Sequence, residues 1–102
     1  MSNIKIKLRK NEFIAVFNSM KLINIDMFSS SLETKAKQEL LQKIYLRMGK
    51  NMFDLKKENS FTLSLPEAWA FYCEIPKTIS MVGSYEAVVL QDIINTIHQK
   101  TI

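Results

Sequence analysis

A chain of 102 residues, 47% of them apolar, is the size of one domain with one core and is too apolar to stay disordered. Two glycines and two prolines exclude a phosphate-cradling glycine loop and disfavour turn-rich barrels and sandwiches, which leaves long helices. The formal net charge of +4 is uneven, because residues 1–53 carry ten Lys and Arg against four Asp and Glu, whereas residues 54–102 carry four against six; a basic half beside a mildly acidic one suits a polyanion or a head-to-tail partner.

Ile4, Ile6 and Leu8 alternate with Lys5, Lys7 and Arg9, so the first element is a strand with one buried and one basic face. Asn11 is placed to cap a helix whose apolar positions Phe13, Val16, Phe17 and Met20 recur at helical spacing, with Ile14 and Ile23 widening the face. Lys21 to Ser30 extends that helix or packs beneath it as a connector. Ser30-Ser31-Leu32-Glu33 has the pattern of a capping box. It opens a second helix to about Met48, with Leu32, Ala36, Leu40, Leu41, Ile44 and Met48 inward, Lys35 and Lys37 outward, and Gly49 as its stop.

Lys50 to Ser60 is polar apart from Met52, Phe53 and Leu55, and joins the halves. The second strand is expected over Phe61 to Leu65, with Phe61, Leu63 and Leu65 inward and Thr62 and Ser64 outward. Ser64-Leu65-Pro66-Glu67 is a second capping box with proline in the first turn. It starts a helix that Pro76 should end, with Trp69 as the hub of the core. Ser84, after Gly83, caps the last helix, Tyr85 to about Lys100, whose stripe is Tyr85, Val88, Val89, Ile93 and Ile97.

The second half repeats the pattern of the first. At an offset of 55, Leu8 meets Leu63 and Glu12 meets Glu67; at 53, Glu33 meets Glu86 and Ile44 meets Ile97. The expected fold is therefore mostly helical α+β, one domain over residues 1–102 with pseudo-repeats 4–49 and 61–100. Its two strands pair antiparallel about a pseudo-twofold axis, and four helices pack on one face, since a lone ribbon or bare helix pairs would leave apolar faces wet.

Chemistry is sparse. His98 is the sole histidine, almost two turns from Asp92, and its place in the last helical turn suits the helix dipole better than a general base. Cys73 is the sole cysteine, beside Glu74 near a helix C-terminus, and reads as a small buried residue. No internal disulfide forms from one cysteine, Lys5, Lys7 and Arg9 interrupt any leader-like apolar run, and no apolar stretch is long enough to span a bilayer. The expectation is a cytoplasmic protein that is not an enzyme, with no metal, cofactor or membrane partner.

A strand with outward Lys5, Lys7 and Arg9 followed by two helices resembles the plan of the ribbon-helix-helix DNA-binding family, here as two units fused in one chain. Leu65-Pro66-Glu67 resembles that family's strand-to-helix junction. The likeness implies that the ribbon meets DNA and that the helix start at Ser84 offers N–H groups to phosphate. The connectors Lys21 to Ser30 and Pro76 to Gly83 are longer than the family's tight turn, and Thr62 and Ser64 are neutral.

Two functions follow as expectations. The first is a small binding or assembly module, engaging a protein partner or a second copy as a homodimer, through Met27, Phe28, Met52 and Phe53 in segments that should be exposed. The alternative is nucleic-acid binding through Lys5, Lys7, Arg9 and Lys10.

Overall fold

The computed structural model describes residues 3–25 and 32–101. Strand β1 (Ile4–Arg9) pairs antiparallel with strand β2 (Glu58–Leu63), from Ile4 opposite Leu63 to Arg9 opposite Glu58. Beyond the strands the ladder continues for one bond, from the Lys10 N–H to the Lys57 carbonyl at 3.3 Å. Alternation then sorts the side chains: Ile4, Ile6, Leu8, Phe61 and Leu63 are buried, and Lys5, Lys7 and Arg9 are exposed.

Helices α1 (Lys10–Ile25) and α2 (Leu32–Asn51) follow β1, and α3 (Leu65–Thr78) and α4 (Ser84–Thr101) follow β2. The order strand, helix, helix thus occurs twice. Helix α1 packs against α2 and α4, and α3 packs against the same two. Their inner faces and the inner face of the ribbon form one cluster that includes Phe13, Val16 and Met20 of α1, Leu41, Ile44 and Met48 of α2, Phe71 and Ile75 of α3, and Leu90 and Ile93 of α4. Each fully buried side chain of this size contributes roughly 1.5–3 kcal/mol. The result is a mostly helical α+β fold whose helices lie against one face of the ribbon, and among the described residues none covers the other face.

Helix starts and stops differ from the sequence expectations in ways that have local causes. Helix α1 begins at Lys10, and Asn11 is inside it; Glu12 reaches back to accept from the Arg9 N–H at 2.8 Å, so the glutamate half of a capping box does the work expected of Asn11. Ser30 and Ser31 lie outside the described residues. Helix α2 continues through Gly49 to Asn51 with no positive φ. Gly49 faces the Phe17 ring, which stacks on Tyr45 one turn earlier at 4.9 Å. Strand β2 is Glu58–Leu63, starting three residues earlier than expected and ending two earlier, the end because the Ser64 cap already starts α3 and carries Leu65 out to solvent.

Pro76 does not end α3, which runs on to Thr78. So close to the helix end the proline removes only the bond to the Tyr72 carbonyl, and both residues lie on the exposed side, where water can replace it. Trp69 is not the hub of the core but 44% exposed, since the buried phase of α3 is Ala68, Phe71 and Ile75. Lys37 is not outward but buried, with its ammonium 3.3 Å from Glu33 and 5.0 Å from the centre of the Trp69 ring. Tyr85 and Val88 are exposed, and the stripe of α4 is Val89, Leu90, Ile93, Ile94 and Ile97. Leu32 and Ala36 are likewise exposed, so the buried stripe of α2 starts late, at Lys37 and Leu41.

Candidate functional site

The bare face of the ribbon carries three cross-strand pairs, Lys5 with Thr62, Lys7 with Ser60 and Arg9 with Glu58. All six residues are exposed. The bond from Lys10 to Lys57 marks that position as a hydrogen-bonded pair. Alternation in an antiparallel ladder then makes the three outward pairs the non-hydrogen-bonded ones, whose side chains stand closest and whose carbonyls point to the free edges.

Both free edges are capped where the ribbon meets the ends of the long helices. Arg47 of α2 donates through Nη2 to the Thr62 carbonyl at 2.7 Å, and Lys100 of α4 donates through Nζ to the Lys5 carbonyl at 3.0 Å. Thr62 and Lys5 are the same cross-strand pair, so one rung is held from both sides. These cations satisfy carbonyls that would otherwise invite another strand.

Arg47 also donates to Glu67, whose other oxygen accepts from the Ser64 N–H at 2.9 Å while the Ser64 hydroxyl accepts from the Glu67 N–H at 3.3 Å. Burial alone would push the Glu67 carboxyl up. The hydrogen bonds from Arg47 and Ser64 outweigh it and hold the group below its ordinary value. The node fixes the exit of β2 against α2 and α3, which holds the ribbon face in place.

Lys10, at the Arg9 end of the face, is exposed, as are Lys56 and Lys57 just before β2. Acids are fewer. Glu58 stands on the face itself; Glu12 and Asp92 line a recess with Lys7 and Thr96 between β1 and α4. The helix start expected to offer N–H groups to phosphate is differently disposed. Helix α4 includes Ser84, the Gly83 carbonyl accepts from the Ala87 N–H at 2.9 Å, and the Glu86 carboxylate folds against Gly83. A second anion there would meet that carboxylate.

Of the residues expected at a protein interface, Met27 and Phe28 lie outside the described residues. Met52 is not free, because the 3-10 turn Met52–Asp54 tucks it against the core. Phe53 is 97% exposed. Sequence reasoning missed an apolar groove of about 350 Å³ between α3 and α4, lined by Leu65, Ala68, Trp69, Tyr72, Ile97, His98 and Thr101. His98 stacks on Tyr72, with Nδ1 3.4 Å from the phenol oxygen, and among the described residues the lining includes no carboxylate side chain to pair with it. The exposed phase Leu65, Trp69, Tyr72 is readable in the sequence as a second stripe on α3, but the size of Trp69 points to the core instead.

Among the described residues no group of three or more His, Cys, Asp or Glu could hold a metal ion, and no helix is long and apolar enough to cross a membrane. Sequence reasoning also missed Glu58 and Ser60, since the polar run before Phe61 hid the first half of β2. Comparison with family models, with curated proteins and with solved structures finds no match to the chain.

Proposed function

We propose that the chain is a non-enzymatic nucleic-acid-binding protein whose binding surface is the bare face of the ribbon and whose partner is duplex DNA. The observation that supports this reading is the placement of Lys5, Lys7 and Arg9, side by side on an exposed two-stranded surface that no helix among the described residues covers, with Lys10 at its end. The B-form major groove is wide enough for a two-stranded ribbon, whereas the deep, narrow groove of A-form RNA is not. The face presents no aromatic ring among its six residues, so it lacks the stacking platforms by which single strands are held. The fold supports the reading further as a doubled unit. At the offset of 55, Ile6 corresponds to Phe61, and these two face each other in the ladder, where a pseudo-twofold axis would pass.

Affinity for a mixed-sequence duplex should fall with salt, the logarithm of the binding constant dropping by about 0.9 per phosphate neutralised for each decade of salt. A Lys5→Ala/Lys7→Ala/Arg9→Ala variant with an unchanged helical circular dichroism spectrum should bind far more weakly. Equal binding by the variant, or none by the wild type at low salt, would end this reading.

A second reading, self-association as a homodimer, draws on the exposed Phe53 and the apolar α3–α4 groove. Sedimentation equilibrium decides it: a dimer weakened by Trp69→Ser or Phe53→Ser supports it, and a monomer at all concentrations removes it.

A further inference from the structure

The two strands of the ribbon pair antiparallel in one register but present different chemistry outward. This inference rests on the duplex-binding reading above. The outward residues of β1 are Lys5, Lys7 and Arg9, all donors with no acceptor. Opposite them on β2 stand Thr62 and Ser60, which donate and accept, and Glu58, which only accepts. A ribbon built from two identical chains presents the same residues at both ends and reads a palindrome. This one cannot present the same chemistry to both DNA strands.

We infer that the ribbon reads a non-palindromic duplex site, one chain per site, with guanines on the DNA strand that faces β1 and a G·C pair seated against Arg9 and Glu58. Guanine offers two acceptors, O6 and N7, in the major groove, which match a lysine or arginine; cytosine offers the N4 donor, which matches a carboxylate. Arg9 and Glu58 face each other directly across the ladder, in a pair whose side chains stand close. They therefore hold a donor and an acceptor side by side, the complement of the two major-groove edges of one G·C pair.

Alternate residues on a strand are roughly 6.7 Å apart, close to two base-pair steps of about 3.4 Å. The three outward pairs then meet every second base pair over about five. At the Lys5 end the rung is clamped by Arg47 and Lys100, so the register of that end is fixed by the fold and does not adjust to the DNA.

The test is selection of bound sequences from a randomised duplex library by the whole chain at near-physiological salt, followed by titration of the winner and its point variants. The expected winner lacks twofold symmetry, has guanines on one strand at alternate positions, and binds as a 1:1 complex. Replacing the G·C pair assigned to Arg9 and Glu58 should weaken binding roughly 5- to 150-fold. Glu58→Gln should relax the preference at that pair alone, because an amide accepts adenine as well as cytosine partners. Winners that are palindromic, or salt-dependent binding with no sequence enriched, would overturn the inference while leaving duplex binding intact. Absence of any duplex binding at low salt would remove both.

Discussion

Glu67 is the residue at which strand, helix and edge clamp meet, and its chemistry makes a definite acid dependence. Its side chain is nearly buried and its carboxyl is held below the ordinary value of 4.5 by Arg47 and Ser64. A group whose folded value is depressed stabilises the fold above its unfolded value, and that stabilisation disappears as pH falls through the folded one. Denaturant titrations of the wild type and Glu67→Gln should therefore differ most at neutral pH and converge below about pH 4.5 as the carboxylate is protonated; a difference unchanged down to low pH would contradict the node. Gly49 makes a prediction of the opposite sign. It lies inside a helix at ordinary φ, and a Cβ there would be 3.4 Å from Phe17 Cε1, an ordinary contact distance. Gly49→Ala should gain up to about 1 kcal/mol from helix propensity, seen as a higher thermal midpoint. At this scale the sequence misled where one residue type has two common roles. Gly49 has the composition of a stop but continues a helix, Trp69 has the size of a hub but points outward, and Lys37 has a charge but buries its stem beneath an indole.

Elements were legible where two signals agreed. The alternation of Ile4 to Arg9 and the full capping box at Ser64 gave β1 and the start of α3, both of which the structure contains. Signals acting alone did worse: Pro76 sits inside its helix, and the polar Glu58-Asn59-Ser60 stretch hid half of β2. Asn59 explains part of that concealment, because its amide is turned into the approach to the strand, exchanging bonds with the Lys56 N–H at 2.9 Å and carbonyl at 2.8 Å. The edge clamps were invisible in the sequence, since Lys100 and Lys5 are far apart in the chain and only the folded packing of α4 against β1 brings them together. Losing the Lys100 clamp exposes one carbonyl to water, so Lys100→Ala should cost no more than about 1 kcal/mol. In a domain of this size that lowers the thermal midpoint by roughly 4–8 °C at most. A much larger loss would mean that Lys100 does more than cap an edge.

The uneven charge of the two halves and the geometry of the ladder are one problem. The outward pairs are the close ones, so a cation on β1 disfavours a cation directly opposite on β2. Thr62, Ser60 and Glu58 are what such a ladder tolerates facing Lys5, Lys7 and Arg9, and the acidic second half is where those residues come from. A Ser60→Lys/Thr62→Lys variant makes the point measurable, because it adds two charges to the proposed DNA-binding face while placing each opposite a lysine. It should bind duplex more tightly and with a steeper salt slope, by up to about 0.9 per added charge that reaches a phosphate. The free protein should meanwhile be less stable by about 0.2–1 kcal/mol per like-charged pair. That loss should shrink between low and high salt, because the pairs are solvent-exposed and screened beyond about 10 Å at 0.1 M and more tightly above it. Thermal midpoints measured across a salt series separate the causes: a deficit that salt relieves is repulsion across the ladder, and one that salt leaves unchanged means the two hydroxyls were holding the strand by contacts of their own.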